Sequence, residues 1–249
     1  MIVYAQIAFA SRLGVILFTL GKLLRFVFFL VFIFLILGRT NTLAGYSLWE
    51  VIFFYATFNV VDIVPQMILR SVYSFRRLVV SGDFDLFFLQ PISPLFRALF
   101  GSSDILDLPM LIIAFGFILY SALHLPVITV LGVFLYLLLL LNAIVIALSF
   151  HIFVVAIGIV STEVDSTIML YRDLTQMGRV PVSVYQQGVS FVLTFVVPIG
   201  IMMTFPVEAL LGTLSLQFIL LSCVFGVSFL LLSLLSWKKA IRHYSSASS

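Results

Sequence analysis

"RRLVVSGDFDLFFLQPISPLF", residues 76–96, gathers two arginines, two aspartates and two prolines into one short stretch. The chain around it is of another kind: its 249 residues are 63% hydrophobic and 9% charged, with a mean hydropathy of +1.28. So little polar surface cannot coat a water-soluble globule, and the expected fold class is an all-α polytopic membrane protein. The polar stretch is then a loop between membrane spans, and its position orders what lies on either side.

A helix needs ~20 mostly apolar residues to cross ~30 Å of hydrocarbon, where only a helix satisfies its own backbone. That rule predicts spans at roughly 22–38, 48–69, 105–123, 126–148 and 213–236, with no room between them for a soluble domain. Residues 1–20 are broken by Gln6, Ser11 and Arg12. They suit an N-terminal interfacial helix in the headgroup layer, the competing reading being a longer, tilted first span. They carry no charged leader and no cleavage site, and read as mature protein. The single Cys223 lies in an apolar run, so no internal disulfide can form. The net charge of +3 does not point to nucleic acid, because basic residues in membrane chains mainly mark the cytoplasmic side.

The segment 149–206 admits two drawings. Residues 126–160 as one helix would be ~52 Å long, well beyond the bilayer core, so a turn is expected near Ser149 to His151, followed by a fifth span over 150–171. Residues 181–206, with Pro181, Tyr185, Pro198 and Pro206, then form a re-entrant hairpin that dips from outside as an outer gate. The competing drawing keeps one long fourth helix, puts 161–188 inside and makes 189–206 the fifth span. Both give six crossings. With six spans and both termini cytoplasmic, Arg12, Lys22, Arg25, Arg70, Arg76, Arg77, Arg97, Lys238, Lys239 and Arg242 collect inside, and only Arg39, Arg172 and Arg179 remain outside.

Polar residues within spans are candidates for function, since an unpaired charge at the bilayer centre costs ~2.5–3.5 kcal/mol. Asn59 and Asp62 lie about one turn apart on the second span and Asn142 lies on the fourth; they either line a pathway or bond between helices. Glu163 and Asp165 are expected near an outer vestibule or paired with Arg172. Asp104 and Asp107 open the third span, where carboxylates suit a helix N-terminus. Motifs for chemistry are missing. "GVILFTLGKL" at 14–23 has the wrong glycine spacing and a leucine where a phosphate loop needs Ser or Thr, and no zinc or nucleophile motif occurs. The chain is therefore expected not to be an enzyme, to hold no metal, and to carry no cofactor of its own.

Within the polar loop, Gly82 can end the second helix, and Asp83 can cap a short helix, "FDLFFLQ", that Pro91 stops. Phe84, Phe87 and Phe88 with Leu86 and Leu89 give it more apolar surface than one membrane-facing stripe requires. It is either an interfacial turn dipping into lipid or a docking helix for a soluble partner.

"SGDFDLFFLQPISPL" resembles the cytoplasmic loop of six-span permease subunits of type-2 ATP-binding-cassette (ABC) exporters, the ABC-2 type. "GRVPVSVYQQGVSFVLTFVVPIGIMMTFPVEALLG" is similar to the Pro-x-x-x-Tyr hairpin of that family, although "QQG" at 186–188 stands where a further proline is expected. "WKKAIRHYSSASS" is similar to its Trp-x-x-x-x-x-x-Tyr-Ser-Ser-Ala tail. The resemblance implies a single permease domain over 1–249, with a coupling loop at 76–100 and a cytoplasmic tail at 237–249. It implies that Gly82, Asp83, Phe84, Asp85, Leu86, Phe87, Phe88, Gln90 and Pro91 form the coupling element, with the three phenylalanines as anchors in the partner. The implied partners are two copies of a cytosolic ABC ATPase, which would hold ATP and Mg, a second permease subunit, identical or related, and membrane lipid. The implied location is the cytoplasmic membrane of a bacterium. An ion- or proton-coupled secondary transporter or channel working through Asp62, Glu163 or Asp165 is the alternative.

Overall fold

The computed structural model describes residues 12–161 and 164–244. Among these residues all regular structure is helical apart from one antiparallel bridge, Leu43 with Tyr46. Five helices are long and apolar enough to cross a membrane, six if one bent pair counts as a span. The chain is a multi-pass membrane protein.

Helix α1 (Arg12–Thr40) is unbroken. Residues 12–20, expected as a separate interfacial helix, are its first turns, because Gly14 and Gly21 weaken a helix by only about 1 kcal/mol each and nothing nearby stops it. The earlier part of that expectation, 1–11, lies outside the described residues. Helix α2 (Leu48–Ile68) begins where Glu50 Oε2 accepts the Ser47 backbone N–H at 2.6 Å. Every residue from Val51 to Val61 is buried, as suits a helix that is apolar on all sides.

After α2 comes a lobe of short elements: a 3₁₀ turn Arg70–Ser74, α3 (Phe75–Val80), a 3₁₀ turn Asp83–Phe87 and α4 (Pro94–Phe100). We call the end of the bundle carrying this lobe the near end. Gly82 adopts φ +78 after α3, a left-handed position that ends the helix without a Cβ penalty. Asp83 follows the cap instead of forming it; its Oδ2 accepts from Ser81 Oγ at 2.7 Å. Before α5 (Leu108–Ala122), Asp104 Oδ1 accepts the Leu106 N–H at 3.1 Å and so caps the 3₁₀ turn Ile105–Asp107.

Helix α6 (Val130–Ser161) is continuous over 32 residues, so the turn predicted near Ser149 to His151 is absent and 150–171 is not a span. The polar residues at the expected turn bond back along their own helix: Ser149 Oγ donates to Val145 O at 2.8 Å and His151 Nδ1 donates to Ala147 O at 2.8 Å. Nor does the length, about 48 Å at 1.5 Å per residue, need to fit inside the bilayer. Ile152, Val155 and Ile159 pack with Phe75, Phe84 and Trp237 in a second core, separate from that of the membrane bundle. The last turns of α6 are thus the spine of the near-end lobe. Gly158 permits close packing there, since a Cβ would meet Val164 Cγ2 at 2.3 Å.

Helix α7 (Val164–Gln176) starts at the near end, where Arg76 Nη1 meets Asp165 Oδ2 at 3.1 Å. The chain then climbs beside α2. Arg172 lines a cleft with Asp62, the Arg179 guanidinium sits 6.0 Å from the Phe58 ring, and the Val182 N–H donates to Thr204 Oγ1 at 3.2 Å. Gln187–Val196 and Gly200–Leu210, the latter ending in α9 (Phe205–Leu210) after the short α8 (Gln187–Phe191), meet at 83°. Pro198 lies in the break, and a Cβ on Gly200 would meet Thr194 Oγ1 at 2.5 Å, so the bend requires glycine there. Helix α10 (Leu216–Arg242) returns along α6 to the near end.

Candidate functional site

Two regions gather the residues singled out in the sequence. In the near-end lobe Phe84 is fully buried, its ring 5.1 Å from Phe75, 5.1 Å from Tyr244 and 6.4 Å from Trp237. Phe87 is buried as well and lies under the Arg97 guanidinium at 4.8 Å. These two rings root the loop in its own protein and are not free to anchor a partner. The expectation for them is corrected accordingly: in a five-residue 3₁₀ turn their side chains point inward. The exposed residues are Leu86, Phe88 and Leu89, the last 82% exposed, followed by Ile92 and Phe96. Asp85 is tied to the tail, accepting from Tyr244 Oη at 2.9 Å.

The second region is a cleft between α1, α2 and α7. It is lined by Asn59 and Asp62 together with Lys22, Arg25, Arg172, Gln176 and Arg179 over an aromatic floor of Phe26, Tyr55 and Phe58. Asn59 Nδ2 donates to Tyr55 O at 2.6 Å, while Asp62 is faced by Arg25, Arg172 and Lys22. Lys22 pairs with Asp107 at the start of α5. Arg25 and Arg179 both donate to Gln176 Oε1. The basic members were assigned by sequence to the two membrane faces; Arg172 and Arg179, placed outside, lie in the cleft instead. Their spacing carried the signal, since 172, 176 and 179 share one helical face, as do 22 and 25.

A family model described as ABC-2 family transporter protein matches residues 23–248. The chain belongs to the ABC-2 transporter family. No curated protein and no solved structure matches it. Of the other predicted site residues in this ABC-2 transporter chain, Asn142 bonds helix to helix. Its Nδ2 donates to Ser222 O at 2.9 Å and Ser222 Oγ at 3.2 Å, joining α6 to α10. Asp165 pairs with Arg76 at the near end, not with Arg172; Glu163 lies outside the described residues. Pro181 and Tyr185 stand beside the cleft, where Tyr185 Oη donates to Met177 O at 2.8 Å. Pro198 and Pro206 belong to the bent pair, Pro206 in the first turn of α9. Pro91 and the half-buried Gln90 close the exposed strip. Among the described residues no group of three or more His, Cys, Asp or Glu side chains could hold a metal ion.

Proposed function

We propose that this ABC-2 family chain is the permease subunit of an exporter in the cytoplasmic membrane of a bacterium. It forms half of a pathway with a second permease and takes its motion from two copies of a cytosolic ATPase that hold the ATP and Mg. The observation carrying the coupling role is the division of labour within residues 84–89: Phe84 and Phe87 are buried among α3, α6 and the α10 tail, while Leu86, Phe88 and Leu89 face outward. A rooted element with an apolar outer face transmits a push as a rigid body, and apolar or aromatic anchors at the centre of a small interface dominate its energy. Since α6 exceeds a hydrocarbon thickness of ~30 Å, the lobe on its last turns projects beyond the lipid, where an exposed apolar strip calls for a protein partner.

In this reading both termini are cytoplasmic, 164–186 is the fifth crossing, and 187–210 is a re-entrant pair at the far end. Supporting the last point, Tyr46, in the α1–α2 turn, hydrogen-bonds Glu208 Oε1 at 2.7 Å and also reaches Ser183, so both flanks of the pair return to one end of the bundle. The ion-coupled alternative is less favoured, because Asp62 is surrounded by fixed cations and suits a structural counter-charge better than a carboxyl that must release and rebind an ion.

The test replaces Leu86 and Leu89 by Asp in the full chain co-expressed with its ATPase. The doubly substituted chain should keep its melting temperature, lose co-purification of the ATPase and lose ATP-driven transport. Wild-type ATPase stimulation in that variant would refute the docking role.

A further inference from the structure

We propose that the cleft between α1, α2 and α7 binds an oxyanion, the phosphate or carboxylate head of an anionic amphiphile, through Arg25, Arg172 and Arg179. Lys22 is already neutralised by Asp107. That leaves three guanidiniums in a cleft with one carboxylate, Asp62, which faces Arg25 and Arg172 and is hydrogen-bonded by Gln66. Among the described residues none of the three forms an ion pair.

The arrangement of Arg25 and Arg179 is the most specific feature. Both donate to the same neutral atom, Gln176 Oε1, from helices far apart in sequence. Two guanidiniums joined to one amide oxygen keep most of their donors free, the single carboxylate Asp62 offsets only part of the positive charge of the three arginines, and each guanidinium fork is shaped for an oxyanion. Arg179 is half-buried at mid-height of the bundle: its guanidinium is 5.7 Å from the Phe29 ring and 6.0 Å from that of Phe58, midway along α2. A cation at that depth is costly unless something offsets it, and cation–π contacts offset only about 0.5–2 kcal/mol. The Phe26, Tyr55 and Phe58 rings beneath the guanidiniums are themselves buried, and the cleft's volume of about 70 Å³ holds a head group alone.

The inference rests on the transport reading only in making this ligand the cargo. Binding is measured on the purified full chain without ATPase, so failure of the coupling reading leaves its outcome unchanged. Melting temperature in a neutral detergent is followed during titration with dioleoylphosphatidylglycerol, with dioleoylphosphatidylcholine and with inorganic phosphate. Saturable stabilisation by phosphatidylglycerol over phosphatidylcholine assigns a lipid-borne head; stabilisation by phosphate alone assigns a soluble oxyanion. Either supports the site.

Arg179→Gln should weaken the response roughly tenfold or more, the worth of a charge-assisted contact. Because that variant alters a buried contact, Gln176→Glu supplies an independent reading. A carboxylate placed between the two guanidiniums should raise the melting temperature without ligand and abolish the anion response. Arg76→Gln, at the near-end surface, should leave the response intact. Equal effects of the two lipids with no effect of phosphate, an unchanged response in Gln176→Glu, or a loss confined to Arg76→Gln would each overturn the proposal.

Discussion

Tyr244 donates its phenolic hydrogen to Asp85 Oδ1 at 2.9 Å while its ring stands edge-on to Phe84 at 5.1 Å and stacks on Phe88 at 5.9 Å. The chain just beyond α10 thereby clamps the loop whose outer face is proposed to meet the ATPase. Desolvation, then the bond to Asp85, pushes the Tyr244 phenol from its ordinary value of 10.0 up to about 12.

A raised phenol favours the protonated form in the folded state. Its contribution is therefore fully present below pH 10 and is lost as pH rises towards about 12. Tyr244→Phe keeps the ring and removes the bond, worth about 1 kcal/mol. The melting temperature of wild type should exceed that of Tyr244→Phe by a constant amount from pH 7 to pH 9, and the two should converge by pH 11.5. A gap that persists there would show that the bond does not set the difference.

Helices α6 and α10 meet where Gly226 faces Asn142: a Cβ on Gly226 would lie 1.9 Å from Asn142 Oδ1. The amide cannot turn aside without giving up its bonds to Ser222, the kind of interhelical bond that averages about 0.6 kcal/mol in a membrane. Gly226→Ala should thus cost about 1–3 kcal/mol through overpacking. Combined with Asn142→Ala, most of that loss should be recovered. Additive losses in chemical denaturation of the two single variants and the pair would refute direct contact as the cause.

Much of the fold was legible because the length rule for spans depends on composition alone, and α2, α5 and α10 lie close to where it put them. The long α6 stood only as the competing drawing, because a helix of that length exceeds the bilayer core; its last turns leave the bundle for the lobe, and Ser149 and His151 satisfy their polar groups within it. The candidate docking loop was legible as a segment but not face by face. Five residues of 3₁₀ turn contain too few periods to separate the inward Phe84 from the outward Leu86. The basic cleft escaped for another reason: it joins Lys22 and Arg25 to residues about 150 positions away, and a charge-counting rule for membrane sides assigns each cation to a surface.

Asp107 is 3% exposed and faces Lys22, whose ammonium also lies 4.5 Å from the Phe18 ring. Removing Lys22, whose side chain is 31% exposed, leaves the buried Asp107 without its partner, at a cost of about 1–3 kcal/mol. Lys22→Met should therefore unfold at clearly lower temperature or denaturant, whereas Lys22→Met with Asp107→Asn should regain most of the stability. If the double variant is no more stable than the single one, the pair is not what holds α1 to the start of α5.

Orientation follows from where the cations sit. Arg70, Arg76, Arg77 and Arg97 in the lobe and Lys238, Lys239 and Arg242 on the last turns of α10 all belong to the near end, while Arg39 stands at the far end of α1. Such an excess is retained on the cytoplasmic side during insertion, so the near end should face the cytoplasm. A cysteine-free background needs only Cys223→Ser, since Cys223 is the single cysteine. Onto it, Leu89→Cys marks the near end and Val127→Cys the far end, at positions 82% and 68% exposed. With a membrane-impermeant maleimide, Val127→Cys should label in intact cells and Leu89→Cys only in inverted vesicles. Labelling of Leu89→Cys from outside would place the strip of Leu86, Phe88 and Leu89 where no cytosolic ATPase can reach it.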